Sequence, residues 1–221
     1  MAKPFVYSYS FLNTYLTCPR QAQAKYITKE LPYVESDAMK WGNKVHSAFE
    51  QRINNRRMLP SELAAWEPLC LQLELTPVQA EVKLGTNALG APQAFFGDHV
   101  WLRGVIDVQK VQGNVAVILD WKTGKVREDP LELEVFGLLL RQHNPEVEKV
   151  TGNYIWMQTG KIGDVHDLSD HKRTWDFIRR TSDEIDTLKK HVGDGQWPAK
   201  QNGLCKAWCD VLSCPYNGKR K

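Results

Sequence analysis

The chain has no apolar stretch near the ~20 residues that cross a bilayer. Its opening residues, Met-Ala-Lys-Pro-Phe-Val-Tyr, lack the apolar core of a secretory signal. The expectation is an intracellular, cytoplasmic protein with no membrane partner. Charge bias is also slight. A formal charge of +3 over 221 residues permits nucleic-acid binding without arguing for it, and the terminal Gly-Lys-Arg-Lys reads as a solvated end. There is no internal repeat, no low-complexity segment and no Gly-x-x-x-x-Gly-Lys-Ser/Thr run to cradle nucleotide phosphates. Nothing therefore points to a built-in helicase motor. Cysteine is sparse, at positions 18, 70, 205, 209 and 214. An odd number without a signal peptide argues against a disulfide scaffold. The remaining composition is that of an ordinary globular chain, long enough for one sizeable core or a core with a small appended module.

What the sequence does have is concentrated in residues 103 to 125. Arg103 to Val111 reads as a strand, Gly113-Asn114 as a turn, and Val115 to Leu119 as a β-branched second strand. Val117, Ile118 and Leu119 have the look of a buried central strand. Each strand delivers one carboxylate, Asp107 and Asp120, and Lys122 follows two residues later. Residues two apart on a strand share a face, so Asp120 and Lys122 point into one cleft. Adjacent carboxylates repel, and a divalent cation relieves that repulsion. The plainer reading of the same residues is a solvated strand with a surface lysine.

The elements before this hairpin read as helical, then extended. Ser8 or Ser10 caps a helix through Phe11, Leu12, Tyr15 and Leu16; Cys18-Pro19 interrupts it, and Arg20 to Tyr26 resumes it. Residues 28 to 40 form a polar loop. Val45, Phe49 and Ile53 then recur every four residues along a helix, with His46 beside the apolar face. His46 is either a core or capping histidine or a metal ligand. Ser61 caps a helix running towards Leu75 that buries Cys70. Val78, Ala80, Val82 and Leu84 alternate with Gln79, Glu81 and Lys83, the pattern of a half-exposed strand with Glu81 facing water. His99 to Leu102 is a further short strand.

Downstream, Pro130 opens a helix through Arg141 with a strong apolar face of Leu131, Val135, Leu138 and Leu139. A helix after a central strand, followed by an apolar stretch at Lys149 to Gln158, predicts a crossover to another strand of the sheet. Thr159-Gly160-Lys161 turns the chain into a return strand, and Ser169 or Asp170 caps a last helix ending near Gly193-Asp194-Gly195. The fold class is α/β, with a mixed central sheet flanked by helices. Beyond Trp197-Pro198 periodicity fades, and Cys205, Cys209 and Cys214 lie within ten residues. A tail this poor in core residues needs a staple. Three thiolates so spaced can wrap one metal centre, with Cys18 the obvious fourth ligand; Cys18 buried in a helix pair is the plainer alternative. A four-thiolate zinc site and a four-iron cluster both fit.

Four separated features together resemble the PD-(D/E)xK nuclease superfamily, in its RecB-like branch. Gly42-x-x-x-His46 is similar to the branch's histidine motif, and Gly104-Val-Ile-Asp107 to its Gly-x-Ile-Asp strand. Ile118-Leu-Asp120-Trp-Lys122-Thr-Gly124 resembles its Asp-Tyr-Lys-Thr-Gly signature, with Trp121 for Tyr. Cys18 with Cys205, Cys209 and Cys214 resembles the split iron–sulfur staple of AddB-type and CRISPR-associated nucleases. Two positions depart. Glu132 and Phe136 stand where the branch often has a substrate-positioning Gln-x-x-x-Tyr pair, and the C-terminal cysteines are separated by three and four residues rather than two and five.

The resemblance implies a restriction-endonuclease-like core over residues 1–196, with residues 197–221 closing onto Cys18 as part of one structural unit. It implies a DNA nuclease dependent on Mg2+ or Mn2+, held by His46, Asp107, Asp120 and the backbone carbonyl of Trp121. Lys122 would position the attacking water or help deprotonate it, with Glu81 a weaker candidate. A [4Fe-4S] cluster, or alternatively Zn2+, would be structural. The expected action is exonucleolytic, on single-stranded DNA or free ends, in recombination, repair or phage DNA processing, alone or with a separate helicase or recombination protein. A competing class is a non-catalytic DNA-binding accessory module with a structural zinc.

Overall fold

Gly113 adopts a left-handed backbone, φ 58°, and reverses the chain between its two longest adjoining strands. The computed structural model describes residues 5–127, 129–193 and 195–219. Asp194 of the expected helix stop and Arg220 and Lys221 of the basic tail lie outside them. In chain order the elements are α1 (Tyr9–Thr17), α2 (Pro19–Ala22), α3 (Asp37–Asn55), α4 (Glu67–Leu73), β1 (Gln79–Thr86), β2 (Pro92–Gln93), β3 (Leu102–Gln112), β4 (Val115–Lys122), α5 (Pro130–His143), β5 (Lys149–Trp156), β6 (Lys161–Ile162), β7 (His166–Asp167) and α6 (His171–Val192). The chain divides into two compact units, one of Met1–Val6 and Glu35–Trp175, the other of Tyr7–Val34 and Asp176–Lys221.

The first unit is built on a mixed sheet in the order β2-β1-β3-β4-β5-β6, with β7 also pairing β5. β3 and β4 are antiparallel, Val108 opposite Leu119. β4 and β5 are parallel, Asp120 opposite Tyr154, with α5 as the crossover between them. The β-branched run of β4 is therefore a central strand, as its composition demands. Helix α3 packs its apolar stripe of Val45, Phe49 and Ile53 with Leu119 and Trp121. The Phe49 and Trp121 rings stack at 4.1 Å. Burying a stripe residue of this kind contributes about 1.5–3 kcal/mol. Gly104 of β3 has no side chain because a Cβ there would stand 3.0 Å from Leu139 and 3.1 Å from Phe136 of α5.

Two expectations are corrected here. Residues 37–40 belong to α3 rather than to a polar loop, because Ser36 Oγ accepts the Met39 N–H at 3.2 Å and caps the helix about two turns before its apolar stripe begins at Val45. Residues 98–99 are a turn and not the start of a strand; β3 starts at Leu102, once pairing with Thr86 of β1 becomes available.

The second unit holds α1, capped by Ser8, then α2 and a π-helical turn over Gln23–Ile27. It also takes in α6 from Asp176 onward and the irregular C-terminal segment. The buried Arg20 guanidinium ties that segment down: Nη2 donates to Glu30 Oε2 at 2.6 Å and to Ser213 Oγ at 2.8 Å. Ala24, Cys209, Val211 and Cys214 form a small core. Gly218 closes the segment. Its N–H donates to the Cys205 carbonyl at 2.8 Å, and a Cβ there would stand only 2.6 Å from the Lys206 oxygen.

Candidate metal centre and active-site cleft

The site begins with a strained residue. Glu81 is the one carboxylate-bearing residue with positive φ among the described residues, at 55°. On either side of it β1 keeps register with β3, Ala80 opposite Val108 and Val82 opposite Ile106. Simple alternation would send Glu81 to water. Instead its Oε1 lies 3.4 Å from His46 Nδ1, and Asp107 Oδ1 lies 3.2 Å from the same nitrogen. Asp107 is fixed from its other side, since its Oδ2 accepts the Trp121 N–H at 2.8 Å. Thus α3, β1 and β3 each supply one donor. His46, Glu81 and Asp107 form the one group of three such donors within 4.8 Å of each other among the described residues. They line an open cleft of about 520 Å³ with Gly42 of α3, Val105 of β3 and Thr123 after β4, room for a substrate as well as an ion.

Asp120 lies behind this group and is buried. Its Oδ2 is 2.7 Å from Lys122 Nζ, which is in turn 2.7 Å from Glu132 Oε2 on α5. Tyr154 completes the arrangement: its hydroxyl donates to the Asp129 carbonyl at 2.6 Å and reaches Glu132 at 3.5 Å, and Lys122 Nζ is 5.3 Å from its ring centre. The sequence reading missed Tyr154, although the β4–β5 register that sets it opposite Asp120 follows from the crossover. Phe136 is buried in the first unit, its ring against Gly104.

Four carboxylates, Glu81, Asp107, Asp120 and Glu132, thus face two cations, His46 and Lys122, across short distances. Burial pushes the Asp120 carboxyl well above the usual range, and the Asp107 charge adds to it. Glu132 is raised by burial too, against the pull of Lys122. Burial opposes the charge on His46, but hydrogen bonds to Asp107 and Glu81 and the charges of Asp107 and Asp120 outweigh it and lift the imidazole to about 10. Lys122 is likewise held above its ordinary value, because Asp120 and Glu132 outweigh the cost of its burial. The imidazole proton therefore balances carboxylates that a divalent cation would balance better. One nitrogen and several carboxylate oxygens suit Mn2+ or Mg2+.

The second unit holds a different donor set. Cys18, Cys205, Cys209 and Cys214 line a single small cavity with Leu204 and Val211. Backbone N–H groups point at two of the sulfurs, Lys200 N at 3.4 Å from Cys18 Sγ and Asn202 N at 3.4 Å from Cys205 Sγ. Burial raises the Cys209 thiol, and the charges of the other three cysteines raise it further. The fold thus gathers the four cysteines and leaves the fifth, Cys70, in the first unit's core. Four cysteines lining one cavity, with N–H donors on two of the sulfurs, fit a thiolate-ligated centre.

Residues 55–217 match the PD-(D/E)XK nuclease superfamily, and the chain belongs to it. The matched span takes in Glu81, Asp107, Asp120 and Lys122, while His46 and Cys18 precede it. The mixed α/β sheet with flanking helices is the restriction-endonuclease-like fold of that superfamily. Its members are nucleases that use divalent metals. Among solved structures, the chain is similar to a candidate exonuclease from Eubacterium rectale, at 15% identity and a TM-score of 0.55, over 92% of this chain and 86% of that one. It is also similar to the protein SSO0001, at 17% identity and a TM-score of 0.54, over 98% of this chain and 89% of that one. At these identities the likeness concerns the fold. No curated protein matches the chain significantly. No described helix is long and apolar enough to cross a membrane.

Proposed function

We propose that the protein is a Mg2+- or Mn2+-dependent exonuclease that hydrolyses phosphodiester bonds from the ends of single-stranded DNA, in recombination, repair or phage DNA processing. The observation that carries this reading is the convergence of His46, Glu81 and Asp107 at the mouth of a cleft, with the Asp120–Lys122 pair behind them. His46, Glu81, Asp107, Asp120 and the Trp121 carbonyl are the residues that would hold the cation. When bound, the cation supplies a Lewis acid that neutralises phosphate charge and makes water a better nucleophile. The Trp121 N–H fixes the Asp107 carboxylate, and the Phe49 ring fixes Trp121 in turn. Lys122 keeps its proton between Asp120 and Glu132. It therefore orients the attacking water and offsets charge on the scissile phosphate, and is poorly suited to removing a proton. Glu132 holds the Lys122 ammonium in place, the task to which a glutamate is better suited than the family's glutamine.

The four cysteines carry a [4Fe-4S] cluster in this reading. It is structural, tying Cys18 to residues 197–221, a segment with almost no core of its own. The four-cysteine spacing and the N–H groups aimed at Cys18 and Cys205 support it. The test is anaerobic purification followed by a visible spectrum and cleavage of end-labelled oligonucleotides in Mn2+. A broad visible band and stepwise shortening of a single strand are expected. A colourless protein carrying stoichiometric zinc would refute the cluster. A folded protein that binds DNA but cuts none, with either metal, would refute the nuclease and favour an accessory binding module.

A further inference from the structure

The approach to the cleft carries a second feature that the chemistry above does not use. The loop between β2 and β3 turns tightly, the Gly97 N–H donating to the Ala94 carbonyl at 2.8 Å, and presents two consecutive phenylalanines. The rings of Phe95 and Phe96 meet edge to face at 4.8 Å. The Arg103 guanidinium lies 4.7 Å from the Phe95 ring centre and 5.5 Å from that of Phe96, and donates to the Phe95 carbonyl at 3.3 Å. Phe95 is half-buried and packed, whereas Phe96 is 72% exposed. A large apolar ring held rigidly in solvent costs free energy unless something covers it.

The direction of these residues is fixed by the strand. Gly104 faces Leu139 and Phe136 of α5, so its neighbours Arg103 and Val105 point to the opposite face of β3. Val105 lines the cleft beside Asp107. Lys83 of β1 is paired with Val105, shares that face and is exposed. Arg103 lies four residues along β3 from Asp107, about 13 Å. An aromatic face, two cations and a metal-type cleft therefore follow one another along one surface of the sheet. Exposed aromatic rings beside cations are what a single strand needs, since every base has a π-face and every phosphate a charge. Asp98 in the same loop is the one acidic side chain of the turn itself.

We propose that Phe96, backed by Phe95 and flanked by Arg103 and Lys83, is a binding subsite for an unpaired nucleobase and its adjoining phosphates, a few nucleotides from the bond cut in the cleft. The subsite rests on the nuclease reading for its role, but binding can be measured without cleavage. In an Asp120→Asn background, a single-stranded oligonucleotide carrying 2-aminopurine is titrated and its fluorescence followed. Stacking on Phe96 quenches it. Phe96→Ala is expected to weaken binding about ten-fold and remove the quench at one nucleotide position, while Phe96→Tyr keeps both. Lys83→Ala is expected to lower the slope of log affinity against log salt by about 0.7. With the wild-type site otherwise intact, Phe96→Ala should raise KM for a labelled strand and leave kcat unchanged, which a merely structural phenylalanine would not do. Unchanged affinity and quench in a folded Phe96→Ala protein would overturn the subsite and leave the nuclease reading standing. A Phe96-dependent quench, combined with wild-type protein that cuts no strand in Mg2+ or Mn2+, would uphold the subsite and overturn the nuclease reading.

Discussion

The protein has two places where ligand atoms converge, and they are built in opposite ways. In the cleft, His46, Glu81 and Asp107 come from a long helix and two paired strands, are held by the sheet, and open onto a space of about 520 Å³. In the cysteine site, the ligands come from a helix junction and an irregular segment, and the cavity is small and lined by Leu204 and Val211. The cleft would keep its shape without an ion, because Trp121, Phe49 and the β-ladder already position its donors. The cysteine site has little but Arg20, Gly218 and a small core to order it. A centre on a rigid scaffold with open space suits reaction; a closed centre in a poorly packed segment suits folding.

That contrast can be broken by substitution. The largest effect on activity is expected from Asp120→Asn, a fall of at least about 10³-fold in Mn2+-dependent cleavage. The melting temperature should not fall, because the change removes a buried carboxylate crowded by Asp107. Activity within ten-fold of wild type would make the carboxylates structural. Cys18→Ser should do the reverse: loss of the visible band and a melting temperature lower by roughly 10 °C. An unchanged spectrum and melt would show that Cys18 is an ordinary buried thiol. A smaller effect is expected from Glu132→Gln, about a ten-fold loss in kcat with KM little changed, since the amide still accepts from Lys122 but more weakly. A rise in KM alone would assign Glu132 to substrate binding instead.

The left-handed backbone of Glu81 is strain stored in the cleft, with no counterpart among the described residues of the cysteine site. Glu81→Gly and Glu81→Ala both remove the carboxylate, but only glycine relieves the backbone. The glycine variant should be more stable than the alanine variant by about 1–2 kcal/mol, once the flexibility of glycine in a strand is subtracted. Equal stability would mean that the strand carries no strain there. The smallest effect concerns pH. His46 is raised from its ordinary 6.5 to about 10, so in metal-free protein its contribution to stability is fully present below about 6.5 and is lost as pH rises through about 10. The metal-free melting temperature should fall over that range, and fall less in His46→Gln. An identical decline in both proteins would remove His46 from the carboxylate network.

Much of this was legible in the sequence, for particular reasons. The β3–β4 hairpin was legible because Gly113-Asn114 can do little but turn, and because a β-branched run ending in Asp120-Trp-Lys122 fits a strand end better than a surface. The cysteines were legible because thiols are rare and their spacing was close. Glu81 was not. Its alternation with Val82 and Ala80 said solvent, and only pairing with β3 fixed the backbone at φ 55° that brings it to His46. The tie from Lys122 to Glu132 depends on where α5 packs after its crossover, which periodicity cannot supply. The Phe95–Phe96–Arg103 cluster is hidden in the sequence, because a strand expected from His99 gives no sign of the turn at Gly97 that folds the aromatic pair over Arg103.

In the proposed reading the cleft, and not the cysteine site, holds the reactive divalent cation. Titration of Mn2+ into protein freed of divalent ions, followed by electron paramagnetic resonance of the free ion, tests it directly when wild type is compared with Asp107→Asn. Binding of Mn2+ by wild type, and its loss in Asp107→Asn with the visible cysteine-site spectrum unchanged, is the predicted result. Equal Mn2+ binding by the two proteins would contradict it.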